Sequence, residues 1–114
     1  MSAIFSTRRV AGTAVVTLQG EIDLQNSPDL RKELLACLAE CQEVVVDLSG
    51  VDYIDSSGIA GLVEAYQTAR RKKSGFSLAA VSPAAMRVLK LARLDEVFII
   101  SETLAPALKA DLKS

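Results

Sequence analysis

A chain of 114 residues with a net charge of −1, half of it apolar and 24% charged, matches one compact domain and is too apolar for disorder. A domain of this size buries roughly two-thirds of its unfolded surface, which supports a core without disulfide or metal staples. No apolar run approaches the roughly 18 residues of a membrane span. Residues 1–9 lack a secretory apolar stretch, and no block of like charge is long enough for a nucleic-acid footprint, so a soluble cytoplasmic protein without direct nucleic-acid contact is expected.

The apolar period alternates between two and 3.6 along the chain. Ile4 to Val10 and Thr13 to Leu18 read as two strands of a hairpin joined at Ala11-Gly12. Gly20-Glu21-Ile22-Asp23 is expected to leave the second strand and enter a polar loop, with Glu21 solvated. Ser27-Pro28 resembles an N-cap followed by proline at the first helical position, and Leu30, Leu34, Leu35 and Leu38 form an apolar stripe after it. Glu43 to Leu48 is a short β-branched run, suited to a central strand buried on both faces. Val51 to Ile54 leads into the turn Asp55-Ser56-Ser57-Gly58, and Ile59, Leu62, Val63 and Tyr66 recur at helical spacing beyond it. Phe76 to Val81 is a further strand. Ser82-Pro83 opens a third helix carrying Met86, Val88, Leu89 and Leu91. Val97 to Ile100 is a last short strand, followed by a terminal helix from Leu104 to Leu112. The order β-β-α-β-α-β-α-β-α contains repeated βαβ units and an opening hairpin, which together require a mixed sheet flanked by helices in one α/β domain spanning residues 1–114.

Several chemistries lack their residues. The chain has no histidine, so it holds no Ser-His-Asp or Cys-His constellation. Gly58-Ile59-Ala60-Gly61 lacks the lysine of a phosphate loop and the full dinucleotide fingerprint. Asp52 and Asp55 are a pair of carboxylates near a loop, for which solvated or capping roles outweigh acid-base work. Cys37 and Cys41 do not form a C-x-x-C motif and cannot complete a zinc site within the chain, so buried, reduced core cysteines are expected. Arg70-Arg71-Lys72-Lys73 reads first as the solvated last turn of a helix and second as a dock for an acidic partner or lipid headgroup. No catalytic residue, metal or cofactor is expected, and no enzyme activity.

The turn itself has two readings. Asp and Ser accept hydrogen bonds from the unpaired N–H groups at a helix start, so ordinary capping accounts for Asp55-Ser56-Ser57-Gly58 taken alone. Its setting adds the second. The segment Val44 to Leu62, with Val44-Val45-Val46-Asp47-Leu48-Ser49-Gly50-Val51-Asp52-Tyr53-Ile54 leading into Asp55-Ser56-Ser57-Gly58, resembles the signature of the STAS domain family. Within that family it is most similar to bacterial anti-sigma factor antagonists. Leu18 to Asp23 upstream is similar to the family's second strand and acidic loop, and Leu89 to Phe98 downstream to its third helix and last strand. Ala92 departs from the pattern, standing where glycine is common.

The resemblance implies a single STAS domain whose activity is partner switching. In the antagonist branch, a serine kinase that also sequesters a sigma factor phosphorylates the second serine of this motif, which Ser57 matches. The unmodified antagonist captures that anti-sigma kinase and frees the sigma factor; a PP2C-type phosphatase restores the captured form. Asp23 matches the acidic loop residue near the switch serine. The partner-facing residues implied are Asp23, Asp55, Ser56, Ser57, Gly58 and Ile59, although Ile59 and Leu62 also read as core, and Gly58 and Gly61 as residues that shape the turn or pack small. Tyr53 and Tyr66 read as half-buried packing residues. A STAS module serving as an adaptor subunit, for example in a lipid-transport ABC assembly, is the alternative.

Overall fold

Residues 4–104 are described by a computed structural model. The opening hairpin joins β1 (Phe5–Val10) to β2 (Thr13–Ile22) across Ala11 and Gly12, both at positive φ as a tight two-residue turn requires. Chain order then runs through α1 (Ser27–Glu40), β3 (Glu43–Ile54), α2 (Ser56–Lys72), β4 (Gly75–Ala79), α3 (Pro83–Leu91), a 3₁₀ turn (Leu94–Glu96) and β5 (Ile99–Ser101). The five strands lie in sequence order in one sheet, with β1–β2 antiparallel and every later pair parallel. This is the mixed α/β architecture expected from the alternating periods. The terminal helix expected from Leu104 to Leu112 lies outside the described residues, apart from Leu104.

The core fills the space between one face of the sheet and the helices. Val16, Leu18, Val44, Val46 and Leu78 meet Leu30, Leu34 and Leu38 of α1 and Leu62 and Ala65 of α2, all 0–1% exposed. Each leucine buried this way contributes roughly 1.5–3 kcal/mol relative to an exposed one. Val15 and Val45, one residue out of phase, are buried on the opposite face, so the centre of the sheet is covered on both sides. Cys37 and Cys41 are buried, free thiols.

Five element boundaries differ from the sequence reading by more than a fraying end or by their cap, each for an identifiable reason. β2 and β3 do not stop at Leu18 and Leu48 but run on in parallel as far as Ile22 and Ile54, with register shifts between Thr17 and Gln19 and between Gly20 and Glu21. Gly20 and Ser49-Gly50 are absorbed in that irregular stretch: Gly20 takes a φ of +80°, and a Cβ on Gly50 would stand 3.2 Å from the Leu18 carbonyl oxygen. The N-cap position of α1 is Asn26, not Ser27: its carbonyl oxygen accepts the Leu30 N–H at 3.2 Å, while its side chain bonds the preceding loop and not the helix. β4 ends at Ala79, since Ala80 turns to a φ of +51°. Val97 and Phe98 are not in the last strand; both donate their N–H groups to the Leu94 carbonyl oxygen at 3.0 Å and close the 3₁₀ turn instead.

Candidate functional site

The Asp55 turn stands where the two longest strands end. Ile22 and Ile54 are paired as the last residues of β2 and β3, and the Asp55 N–H donates to the Ile22 carbonyl oxygen at 3.1 Å. Asp55 is extended (φ −100°, ψ −175°) and caps α2, accepting on Oδ1 from the N–H groups of Ser57 (2.9 Å) and Gly58 (3.2 Å). The same oxygen accepts from the Ser57 hydroxyl at 2.5 Å. The Ser57 hydroxyl, first of all, and the N–H groups of Gly58, Ser57 and Leu24 hold the Asp55 carboxyl below its ordinary pKa, against partial desolvation. The turn therefore presents an ionised carboxylate that fixes one serine hydroxyl.

Beside it lies the loop between β2 and α1. Asn26 accepts from the Asp23 N–H and donates to the Glu21 carbonyl oxygen, both at 2.9 Å, while the Asp23 carboxylate accepts from the Gln25 N–H at 3.0 Å. The Asp23 carbonyl oxygen receives the Ser27 N–H at 2.8 Å. These bonds make the loop a closed, locally satisfied unit. Asp23 and Ser57 are partly exposed and Ser56 is exposed, whereas Gly58 is buried and Ile59 is half-buried against the core. A Cβ at Gly58 would stand 2.7 Å from Ile54 Cγ1 and 2.8 Å from Ile22 Cγ2. Close packing on the strand ends thus accounts for this glycine.

Two exposed apolar side chains frame the turn. Leu24 is 72% exposed and Tyr53 is 52% exposed, more than the half-buried packing role read for the tyrosine. Tyr66 does pack inward, edge-to-face on Phe98 with ring centroids 5.5 Å apart. Beside Ser57, a cleft of about 210 Å³ runs between α1 and α2, with Arg31 and Lys32 contributed by α1 and Ser57, Gly61 and Glu64 by α2. Arg31 holds Glu64 in a two-pronged pair at 2.8 and 2.6 Å. No sequence signal links Arg31 and Glu64, which are 33 residues apart in the chain.

The STAS domain family model matches residues 5–107. The chain belongs to the STAS domain family. The anti-sigma F factor antagonist of Paenibacillus polymyxa is 25% identical over 99 residues, covering 85% of each chain. The crystal structure of an anti-sigma factor antagonist from Mycobacterium paratuberculosis superposes with a TM-score of 0.84 at 34% identity, covering 93% of this chain and 91% of the other. SpoIIAA of Bacillus shares the fold at 17% identity, with a TM-score of 0.83 to its unphosphorylated form (96% and 97% covered) and 0.76 to its phosphorylated form (93% and 97%). This STAS domain thus has anti-sigma factor antagonists as relatives, and its Asp-Ser-Ser-Gly turn sits at the helix start, at one end of the parallel strands. Among the described residues no helix is long and apolar enough to cross a membrane.

Proposed function

We propose that this STAS protein is an anti-sigma factor antagonist that captures an anti-sigma serine kinase while Ser57 is unmodified and releases it when Ser57 is phosphorylated. The observation that carries the reading is the Ser57 hydroxyl held at 2.5 Å by the capping carboxylate of Asp55, on a surface framed by Leu24 and Tyr53. The names of the relatives favour an antagonist over a transport adaptor. Ser56, Ser57 and Asp23 supply the polar part of the docking surface, Leu24 and Tyr53 its apolar flanks; Gly58 and Ile59 shape it from beneath.

Phosphorylation adds roughly −1.5 to −2 charges and three acceptor oxygens. At the start of a helix that charge is tolerated by the fold, because the N-terminal dipole is favourable to anions. In the complex it is not tolerated: a dianion beside Asp55 must be desolvated or repelled. A hundredfold loss of affinity needs only about 2.8 kcal/mol, within the range for an unpaired charge buried at an interface. A PP2C-type phosphatase would reset the cycle.

The test is reconstitution with the cognate anti-sigma serine kinase and labelled ATP. Label is expected on wild-type chain and absent from Ser57→Ala. Ser57→Asp is expected to bind that kinase at least tenfold more weakly while melting within a few degrees of wild type. Undiminished labelling of Ser57→Ala, or tight binding by Ser57→Asp, refutes the assignment.

A further inference from the structure

The cleft between α1 and α2 has a property that the capping turn alone does not. Ser57, Gly61 and Glu64 follow one another up a single face of α2, and the stem of Arg31 crosses that face at Gly61, where an added Cβ would meet Arg31 Cβ at 3.9 Å. With no side chain at position 61, the guanidinium has an open lane along the helix between Glu64 and Ser57. One helical turn, about 5.4 Å, separates the two ends of that lane from its middle, which is within the span of an arginine side chain. The Arg31–Glu64 pair is exposed on both sides (48% and 40%), so solvent screens it and it exchanges readily.

Phosphorylation removes the proton through which Ser57 now binds Asp55, because an ester oxygen has no hydrogen to donate. The Asp55 carboxylate, still ionised and capping the helix, then repels the new dianion. The charged groups that bond Ser57 or share its cleft are Asp55 in the turn, Arg31 and Lys32 on α1, and Glu64 on α2. Asp55 does not line the cleft, whereas both cations, Arg31 and Lys32, do, together with Glu64. Rotation about the Ser57 side chain relieves the repulsion and carries the phosphate toward the two cations.

We propose that phosphoserine 57 is received within its own chain: Arg31 leaves Glu64 and takes the phosphate in a bidentate pair, with Lys32 as a second point charge. The proposal rests on Ser57 being the modified residue. A phosphate dianion with three acceptors outcompetes a single exposed carboxylate for a guanidinium. The released chain then differs from the capturing one in more than an added charge. The cleft is closed over by Arg31, and Glu64 is left facing solvent.

The experiment uses the full chain with phosphoserine installed at position 57 during translation, so it does not depend on any kinase. The phosphate is titrated by ³¹P NMR in wild type, Arg31→Gln, Lys32→Gln and Glu64→Gln. Arg31→Gln is expected to raise the titration midpoint by at least roughly half a pH unit, since an adjacent cation favours the dianion; Lys32→Gln raises it less, and Glu64→Gln lowers it. Any contribution of the helix dipole is common to all four and cancels. An Arg31→Gln midpoint equal to that of wild type overturns the proposal. If Arg31→Gln does not fold, the Arg31 Nε–H resonance of the wild-type phosphoprotein decides, because it must titrate with the phosphate. A kinase that ignores Ser57 would remove the proposed function and leave this result standing; an indifferent Arg31 would do the reverse.

Discussion

Replacing each glycine of the first two turns of α2 by alanine separates packing from backbone freedom in one experiment. Neither Gly58 nor Gly61 has a positive φ, so alanine is admissible to the backbone at both. At Gly58 the new methyl meets Ile54 Cγ1 at 2.7 Å and Ile22 Cγ2 at 2.8 Å, and both isoleucines are buried (2% and 0% exposed) at the strand ends, with little room to retreat. Overpacking of this kind costs about 1–3 kcal/mol, and removal of a helical glycine returns about 0.5–1 kcal/mol. The net expectation is a loss centred on about 1 kcal/mol, or roughly 3–6 °C in melting temperature. At Gly61 the nearest neighbour is at 3.9 Å, an ordinary contact, so only the favourable part applies and Gly61→Ala gains about 0.5 kcal/mol. Equilibrium urea unfolding with unchanged m values measures both. If Gly58→Ala is as stable as wild type, or if the two variants shift in the same direction, the strand ends are not packed against α2 as described.

Two further outcomes follow from buried groups elsewhere. The Ser82 hydroxyl donates to the Val51 carbonyl oxygen at 2.7 Å and accepts the Ala85 N–H at 3.2 Å, so Ser82→Ala removes a helix cap and orphans a buried carbonyl; a loss of about 1–3 kcal/mol is expected by urea unfolding, and a neutral result contradicts this geometry. The Cys37 thiol is pushed up to about 11, first by burial and then by the neighbouring Glu33 carboxylate, which accepts its S–H. A raised thiol pKa favours the folded, protonated form. Its contribution is therefore complete at neutral pH and is lost as pH rises toward about 11, because the unfolded chain ionises first. Urea midpoints between pH 8 and 10.5 should fall less steeply in Cys37→Ala than in wild type; equal slopes refute the assignment.

Local chemistry made much of this molecule legible. Ala11-Gly12 lies between two alternating runs, and Ser82-Pro83 is followed by a helical period, so the hairpin and the start of α3 could be read from a few residues each. The continuation of β2 and β3 could not be. Gly20 and Ser49-Gly50 are breakers by composition, and only the pairing of two segments some thirty residues apart in the chain keeps them in the sheet. The left-handed residue after α3 is similar: Ala92 keeps a φ of −89° and Arg93 takes +60°, so the position where the family often has glycine is not the one that turns. At the site, the Asp55 cap follows from residue types at their spacing, whereas the bond that fixes the Ser57 hydroxyl on the same carboxylate emerges only from the folded turn. Nor does the cleft follow from residue types, since Arg31 meets the face of α2 only through the docking of α1 beside it.

Asp55 binds two kinds of donor with one oxygen, and only one of them disappears when Ser57 is esterified. The backbone N–H groups of Ser57 and Gly58 would remain, so in the proposed cycle the helix start needs no rebuilding on phosphorylation or hydrolysis. Such a molecule can be reset many times without passing through an unfolded intermediate. In the proposed cycle, turnover between states would then be limited by the kinase and phosphatase, and a cell could keep a fixed stock of the protein in circulation instead of synthesising new copies for each response.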